Sequence, residues 1–199
     1  KMVEVMERLS KKGHSQSQNT LGVCYGIGDC VPQDDHKAFS LFESSSMNGY
    51  VSAMVNLALC YEIGRGVTQD LTKSFEWYLK AANNGNADAM NSVGKCHFFG
   101  QGVTQDFTKS YEWFLKSANN GNADAMYNVG ECYDNGQGVT RDFTKAFEWW
   151  LKSANNGNAR AMYHVGICYA RGEGMKQDFT KAFEWYLKSA NNGSADTMG

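Results

Sequence analysis

The residues in this 199-residue chain whose types could do chemistry are, above all, six cysteines and four histidines. Cys24, Cys60, Cys96, Cys132 and Cys168 stand 36 residues apart, and Cys30 lies outside the series. Thiols can bridge, ligate a metal or act as nucleophiles. A bridge needs Cα atoms closer than about 7 Å, whereas equivalent positions on packed neighbouring helices are at least ~8–10 Å apart. The series therefore reads as small buried side chains where one helix approaches another, a common place for free cysteine. A Cys24–Cys30 bridge would pull at a helix end. His14, His36, His97 and His164 occupy scattered places in the period, with no zinc-site spacing and no CxxC beside them. His164 and Cys168 are four apart on one helix, the histidine expected to point outward and the cysteine inward. Gly100-Gln101-Gly102 follows a helix, not a strand, and lacks the Gly-Lys-Ser/Thr ending of a phosphate loop. No nucleophile, base and orienting acid recur as a set. The expectation is no catalytic residue, no metal site and no cofactor.

What positions these residues is a repeat. The stretch Gln105 to Met126 returns at Gln69 to Met90, at Arg141 to Met162 and at Gln177 to Met198. A fixed period of this length is the signature of a stacked array. Gly13, Gly49, Gly85, Gly121, Gly157 and Gly193 mark the register. They divide the chain into a partial repeat (1–12), five repeats (13–48, 49–84, 85–120, 121–156, 157–192) and a second partial repeat (193–199). In the third unit a helix is expected from Asp106 as N-cap to Asn119, with Ser110, Tyr111, Phe114, Ser117 and Ala118 on one face. Gly121 ends it in the left-handed region. The next helix starts at Asn122, turns Ala125, Met126, Val129, Cys132 and Tyr133 inward, and stops at Asn135-Gly136-Gln137-Gly138. Each unit is thus two antiparallel helices that must stack on their neighbours to bury both faces. Val3, Val5, Met6 and Leu9 take the place of a second helix, and Ser194 to Gly199 open another first helix. With Lys1 as the opening residue, this reads as a piece of a longer array.

Composition sets limits on function. A net charge of −2 gives no electrostatic case for nucleic acid or an anionic membrane. No apolar run approaches the ~20 residues of a membrane span.

The columns Val93-Gly94, Gly100-Gln101-Gly102-Val103, Gln105-Asp106, Lys109, Trp113-Phe114 and Lys116-Ser117-Ala118 resemble the Sel-1-like repeat, the 36-residue relative of the tetratricopeptide repeat. The resemblance runs through the whole chain. It implies an all-α, right-handed α-solenoid of antiparallel helix pairs that acts as an adaptor for other proteins. Departures are local: Cys30 for the second loop glycine, Pro32 for the following Thr, Leu41 for Trp, Ala58 for the helix glycine and His97 for Tyr. The family includes quality-control adaptors, fungal cell-wall regulators and secreted bacterial proteins. One secreted branch carries two cysteines per repeat, bridging the two helices of each pair; here the second helices carry none. The pattern favours a reducing, intracellular and cytoplasmic setting, with secretion or the endoplasmic-reticulum lumen left open. Some secreted relatives are linked to β-lactam or cell-wall binding, so a carbohydrate or cell-wall module with weak hydrolase activity is the alternative function. A passive spacer is the third.

Comparison of the repeats with one another suggests where a partner binds. Invariant columns such as Trp77, Trp113, Trp149 and Trp185 serve packing between repeats. Glu76–Lys80, Glu112–Lys116, Glu148–Lys152 and Glu184–Lys188 are expected as i,i+4 pairs on a solvated outer face. Variable columns on the first helices are free for recognition, and by resemblance to tetratricopeptide arrays they line a concave groove. The candidates are Leu59, Ile63, Asn91, Lys95, Phe98, Phe99, Tyr127, Asn128, Glu131, Arg160, Tyr163, His164, Ile167 and Arg171, with Val23, Ile27, Val55, Asn56, Asp134 and others beside them. Exposed apolar and aromatic residues on such a face call for a partner. The expected partner is another protein, through a peptide or helix, without nucleic acid or membrane insertion. The column Leu59, Lys95, Glu131, Ile167 lacks the repeated Lys and Asn of a carboxylate clamp.

Overall fold

A computed structural model of the chain describes residues 2–195, with side chains for 3–193, and every element in it is a helix. It forms two compact units, Lys1–Gln105 and Asp106–Gly199. The first holds α1 (Met2–Lys11), α2 (Ser15–Ile27), α3 (Asp35–Met47), α4 (Val51–Ile63), α5 (Leu71–Asn83) and α6 (Ala87–Phe99). The second holds α7 (Phe107–Asn119), α8 (Ala123–Asn135), α9 (Phe143–Asn155), α10 (Ala159–Arg171) and α11 (Phe179–Ala195). The even-numbered helices are the first of each pair and the odd-numbered ones the second.

The sequence sets both ends of each helix. Asp34, Asp70, Asp106 and Asp142 have extended backbones, and each side chain accepts from the backbone N–H three residues on. Such caps contribute about 0.5–2 kcal/mol each. At Asp106 that N–H, with the charge of Lys109 helping, lowers the carboxyl pKa. Asn86, Asn122 and Asn158 do the same for the first helices. Those helices end on a left-handed glycine, such as Gly136 at φ +67°. The sixth marker glycine departs from the pattern: α11 runs straight through Gly193 to Ala195. A glycine costs a helix only about 1 kcal/mol, less than it takes to stop one by itself. The first helix expected at Ser194 to Gly199 lies largely outside the described residues.

The core is a strip between neighbouring helices. Ala89 and Val93 on α6, and Ala125, Val129 and Cys132 on α8, are fully enclosed. The second helices contribute Ser110, Phe114, Ser117 and Ala118, all buried. Buried serines are satisfied within their own pair: Ser45 Oγ donates to the Ser15 carbonyl (2.7 Å) and Ser153 Oγ to that of Ala123 (2.6 Å). Successive pairs meet through rings set edge to face. In the first unit these are Phe39–Tyr61 (5.4 Å) and Phe75–His97 (5.5 Å), and in the second Tyr111–Tyr133 (5.7 Å) and Phe147–Tyr169 (5.6 Å). Each such pair adds about 0.5–1.5 kcal/mol beyond its buried area. His97 therefore does the packing work of the tyrosine it replaces.

Candidate functional site

The candidate site is the solvent face of the first helices, described one unit at a time. In the first unit Ile63 on α4 is 57% exposed and Phe99 on α6 is 63% exposed. Neither tucks under the following loop. Leu59 and Lys95 are also exposed, while Phe98 is half-buried with its ring 4.9 Å from that of Phe99. Asn91 lies elsewhere: at 5% exposure it belongs to the interior and not to the open face. Ile27, Leu59 and Ile63 border a cleft of about 140 Å³ floored by Val23 and Phe42. Asn56 on its wall donates to Asn19 Oδ1 at 2.9 Å. Arg65 closes one end, held by Asp35 at 2.8 Å and by the Gly26 carbonyl. Sequence reading missed Arg65 because it sits in a loop, outside the helical columns compared.

In the second unit the face is polar and aromatic. Arg160 is exposed, pairs with Asp124 (3.0 Å) and lies over the Tyr127 ring (4.8 Å). The Tyr127 hydroxyl and His164 Nε2 are 3.2 Å apart, and His164 Nδ1 is 3.8 Å from Glu131 Oε1. His164 is not simply outward. It is half-buried, resting 4.8 Å from the Trp150 ring with Tyr127 at 5.3 Å and Tyr163 at 6.1 Å. Burial lowers its pKa, and burial raises that of Glu131. The Tyr127 hydroxyl is pushed up to about 12, by burial first and then by the Glu131 charge. Tyr163 is 52% exposed; Asn128 and Ile167 are half-buried; Arg171 is exposed and 3.8 Å from Glu173. Trp150 was also missed. It belongs to a variable aromatic column (Phe42, Tyr78, Phe114, Trp150, Tyr186) opposite the helix glycines, and that pairing was its signal. A Cβ on Gly130 would overlap its indole, and one on Gly166 would overlap the Tyr186 ring.

Cys168 is buried, its thiol pushed up to about 12 by burial. Cys60 and Cys96 rise to about 11 and Cys132 to about 12 for the same reason. Among the described residues no group of three or more His, Cys, Asp or Glu could hold a metal ion, and no helix is long and apolar enough to cross a membrane.

The opposite, second-helix face corrects one expectation. Lys80, Lys116, Lys152 and Lys188 lie over Trp77, Trp113, Trp149 and Trp185 at 3.9–4.3 Å, and do not pair with the glutamates. The ion pairs on these helices run instead from the capping aspartate to the lysine three on, as in Asp106–Lys109 at 3.5 Å. A half-buried indole draws the ammonium more strongly than a fully solvated carboxylate does.

A family model for the Sel1 repeat matches residues 15–50, 51–86, 87–122, 123–158 and 159–194. The chain belongs to the Sel1 repeat family. Sel1 repeat proteins are generally protein-interaction scaffolds, and the fold is typically non-catalytic. Among solved structures, a protective antigen of uropathogenic Escherichia coli displaying an SLR fold superposes with a TM-score of 0.90 at 32% identity. The match covers 94% of this Sel1 chain but 40% of the antigen. A Sel1 repeat protein from Oxalobacter formigenes gives 0.85 at 29% identity, covering 92% and 75%. An immunity protein from Pseudomonas aeruginosa, 18% identical at 0.66 over 96% and 73%, shares the fold alone. The comparison with curated proteins returned no match.

Proposed function

We propose that this Sel1 chain is a non-catalytic scaffold whose first-helix faces line a concave groove for a segment of a partner protein. The observation that carries the reading is the exposed apolar and aromatic side chains on the first helices of each unit, Ile27, Leu59, Ile63 and Phe99 in the first and Tyr163 in the second. Water-exposed side chains of this size on a helix face are a favourable surface to cover, and tyrosine and arginine are frequent anchors in interfaces. The face also varies from repeat to repeat, from aliphatic at Leu59 to acidic at Glu131. That variation suits a partner segment whose residues differ along its length. The absence of cysteine from the second helices, which leaves no thiol to bridge the two helices of a pair, supports a reducing, intracellular compartment.

A triple variant, Leu59→Ser, Phe99→Ser and Tyr163→Ser, tests the reading. All three side chains are exposed, so the melting temperature should hold. Affinity capture from source-cell lysate should then lose a protein that the unaltered chain retains. Equal recovery by a folded triple variant would remove the face from the function.

A further inference from the structure

One column of the second helices reads Leu41, Trp77, Trp113, Trp149 and Trp185. Within the first unit, the leucine and a tryptophan can be compared directly. Trp77 packs against a buried cluster that includes Phe42, Leu57 and Tyr61. One repeat earlier the counterparts of Leu57 and Tyr61 are Leu21 and Tyr25, and Leu41 stands where the indole would be. The leucine does not fill that place. An open cleft of about 630 Å³ lies on the surface beside α1, α2 and α3, with Leu21, Tyr25 and Leu41 on its wall. Tyr25 and Cys24 are only half-buried, where Tyr61 and Cys60 are buried. The size lies within the ordinary range of ligand sites. Glu7, Asp34 and Lys37 stand at the rim, with Lys37 paired to Asp34 at 3.2 Å and 5.1 Å over the Tyr25 ring.

We propose that this cleft is a second docking site, which takes the indole of a tryptophan presented by a bound polypeptide. The protein itself shows what fits: at the next junction the Trp77 indole packs against the cluster that holds Leu57 and Tyr61, the counterparts of Leu21 and Tyr25. Both charge signs at the rim supply acceptors and a donor for the peptide groups on either side of the inserted tryptophan. An aliphatic side chain would leave the space as unfilled as Leu41 does. The proposal rests on the reading of the chain as a polypeptide-binding scaffold, but it uses a different face from Leu59, Phe99 and Tyr163.

The test is an amide NMR titration of the full chain with acetyl-Gly-Trp-Gly-amide, the same peptide with leucine in place of tryptophan, and indole. The tryptophan peptide should give saturable shifts at Leu21, Tyr25 and Ser40. The leucine peptide should bind about tenfold more weakly, a difference of about 1.4 kcal/mol. Leu41→Trp, which copies the other four repeats, should raise the melting temperature and abolish the shifts by filling the site from within. Leu41→Phe should weaken them in the same direction. The Leu59, Phe99 and Tyr163 triple variant should keep them, so failure of the first-helix reading and failure of this one are told apart. No saturable shift, equal binding of the leucine peptide, or shifts that survive Leu41→Trp would overturn the proposal. Indole binding as tightly as the tryptophan peptide would assign the cleft to a free aromatic molecule and overturn it too.

Discussion

His164 shows how neighbours set the behaviour of a single residue. Its surroundings are Trp150 beneath it, Tyr127 and Tyr163 beside it, and Glu131, Asp134 and Arg160 as the facing charges. Burial outweighs the Asp134 carboxylate, so the folded pKa falls below the ordinary 6.5. The unfolded chain therefore takes up this proton first. Stability from His164 is present above about pH 6.5 and is lost as the pH falls through the lowered folded value. Glu131, raised by burial, acts in the opposite sense: its share is present at low pH and is lost as the pH rises through its folded value. Replacing His164 with Asn, the residue at the same place in the fourth repeat (Asn128), removes the first contribution. Thermal unfolding across about pH 7 to 5.5 should then fall less steeply than in the unaltered chain. An identical slope would show that His164 does not titrate with folding. The sequence could not reveal this environment, because Trp150 and Glu131 reach His164 from other helices.

Cysteine reactivity belongs to the same scale. Cys60, Cys96, Cys132 and Cys168 are buried, Cys24 is half-buried and Cys30 is exposed. Alkylation of the native protein, followed by intact mass, should label Cys30 first and the four buried thiols only on unfolding. Simultaneous labelling would contradict the packing. Cys30 has a further role. It holds φ +63° at a place where later repeats have left-handed glycines such as Gly66 and Gly102. A non-glycine residue pays a strain of roughly 1–2 kcal/mol there. Cys30→Gly should therefore stabilise the chain by about 1 kcal/mol in chemical denaturation. Reading Cys30 as a departure from the glycine column located this position, but its backbone angle needed the structure.

At the scale of the helix, most of the architecture was legible because capping and period are local properties. Asp106, Asn122 and Gly121 sit in the conformations their residue types imply. Three features were not legible, because local rules left more than one outcome open at each. The lysines of the Glu–Lys pairs lie over tryptophans one turn away. Asn91, polar and in a variable column, is buried. Gly193 does not break α11. The contact between Gly130 and Trp150 gives the sharpest test of packing between helices. Gly130→Ala places a methyl where the indole is and should cost about 1–3 kcal/mol. Trp150→Tyr, the ring that stands in that column in the one repeat whose helix residue is already an alanine (Ala58 and Tyr78), should relieve the pair. The double variant should recover much of the loss; additive losses would mean that the two residues are not coupled.

For the molecule as a whole, repetition and variation separate structure from recognition. Columns held constant, such as Ala89, Ala125 and Ala161, are fully buried, each in the core of its own unit. Columns that vary on the first helices, such as Leu59, Lys95, Glu131 and Ile167, present a different surface in each repeat. Legibility of the candidate site ends here: the sequence pointed to the first-helix faces, and the structure set Asn91 apart from their exposed members and added Arg65 in the first unit and Trp150 in the second. The central claim is that this face holds a partner protein. Its most direct test is photo-crosslinking in the source cells, with benzoylphenylalanine in place of Phe99 or Tyr163 on the first helices, and of Glu112 or Glu148 on the second. The account predicts one discrete protein adduct from the Phe99 and Tyr163 positions and none from the other two. Adducts confined to Glu112 and Glu148 would contradict it.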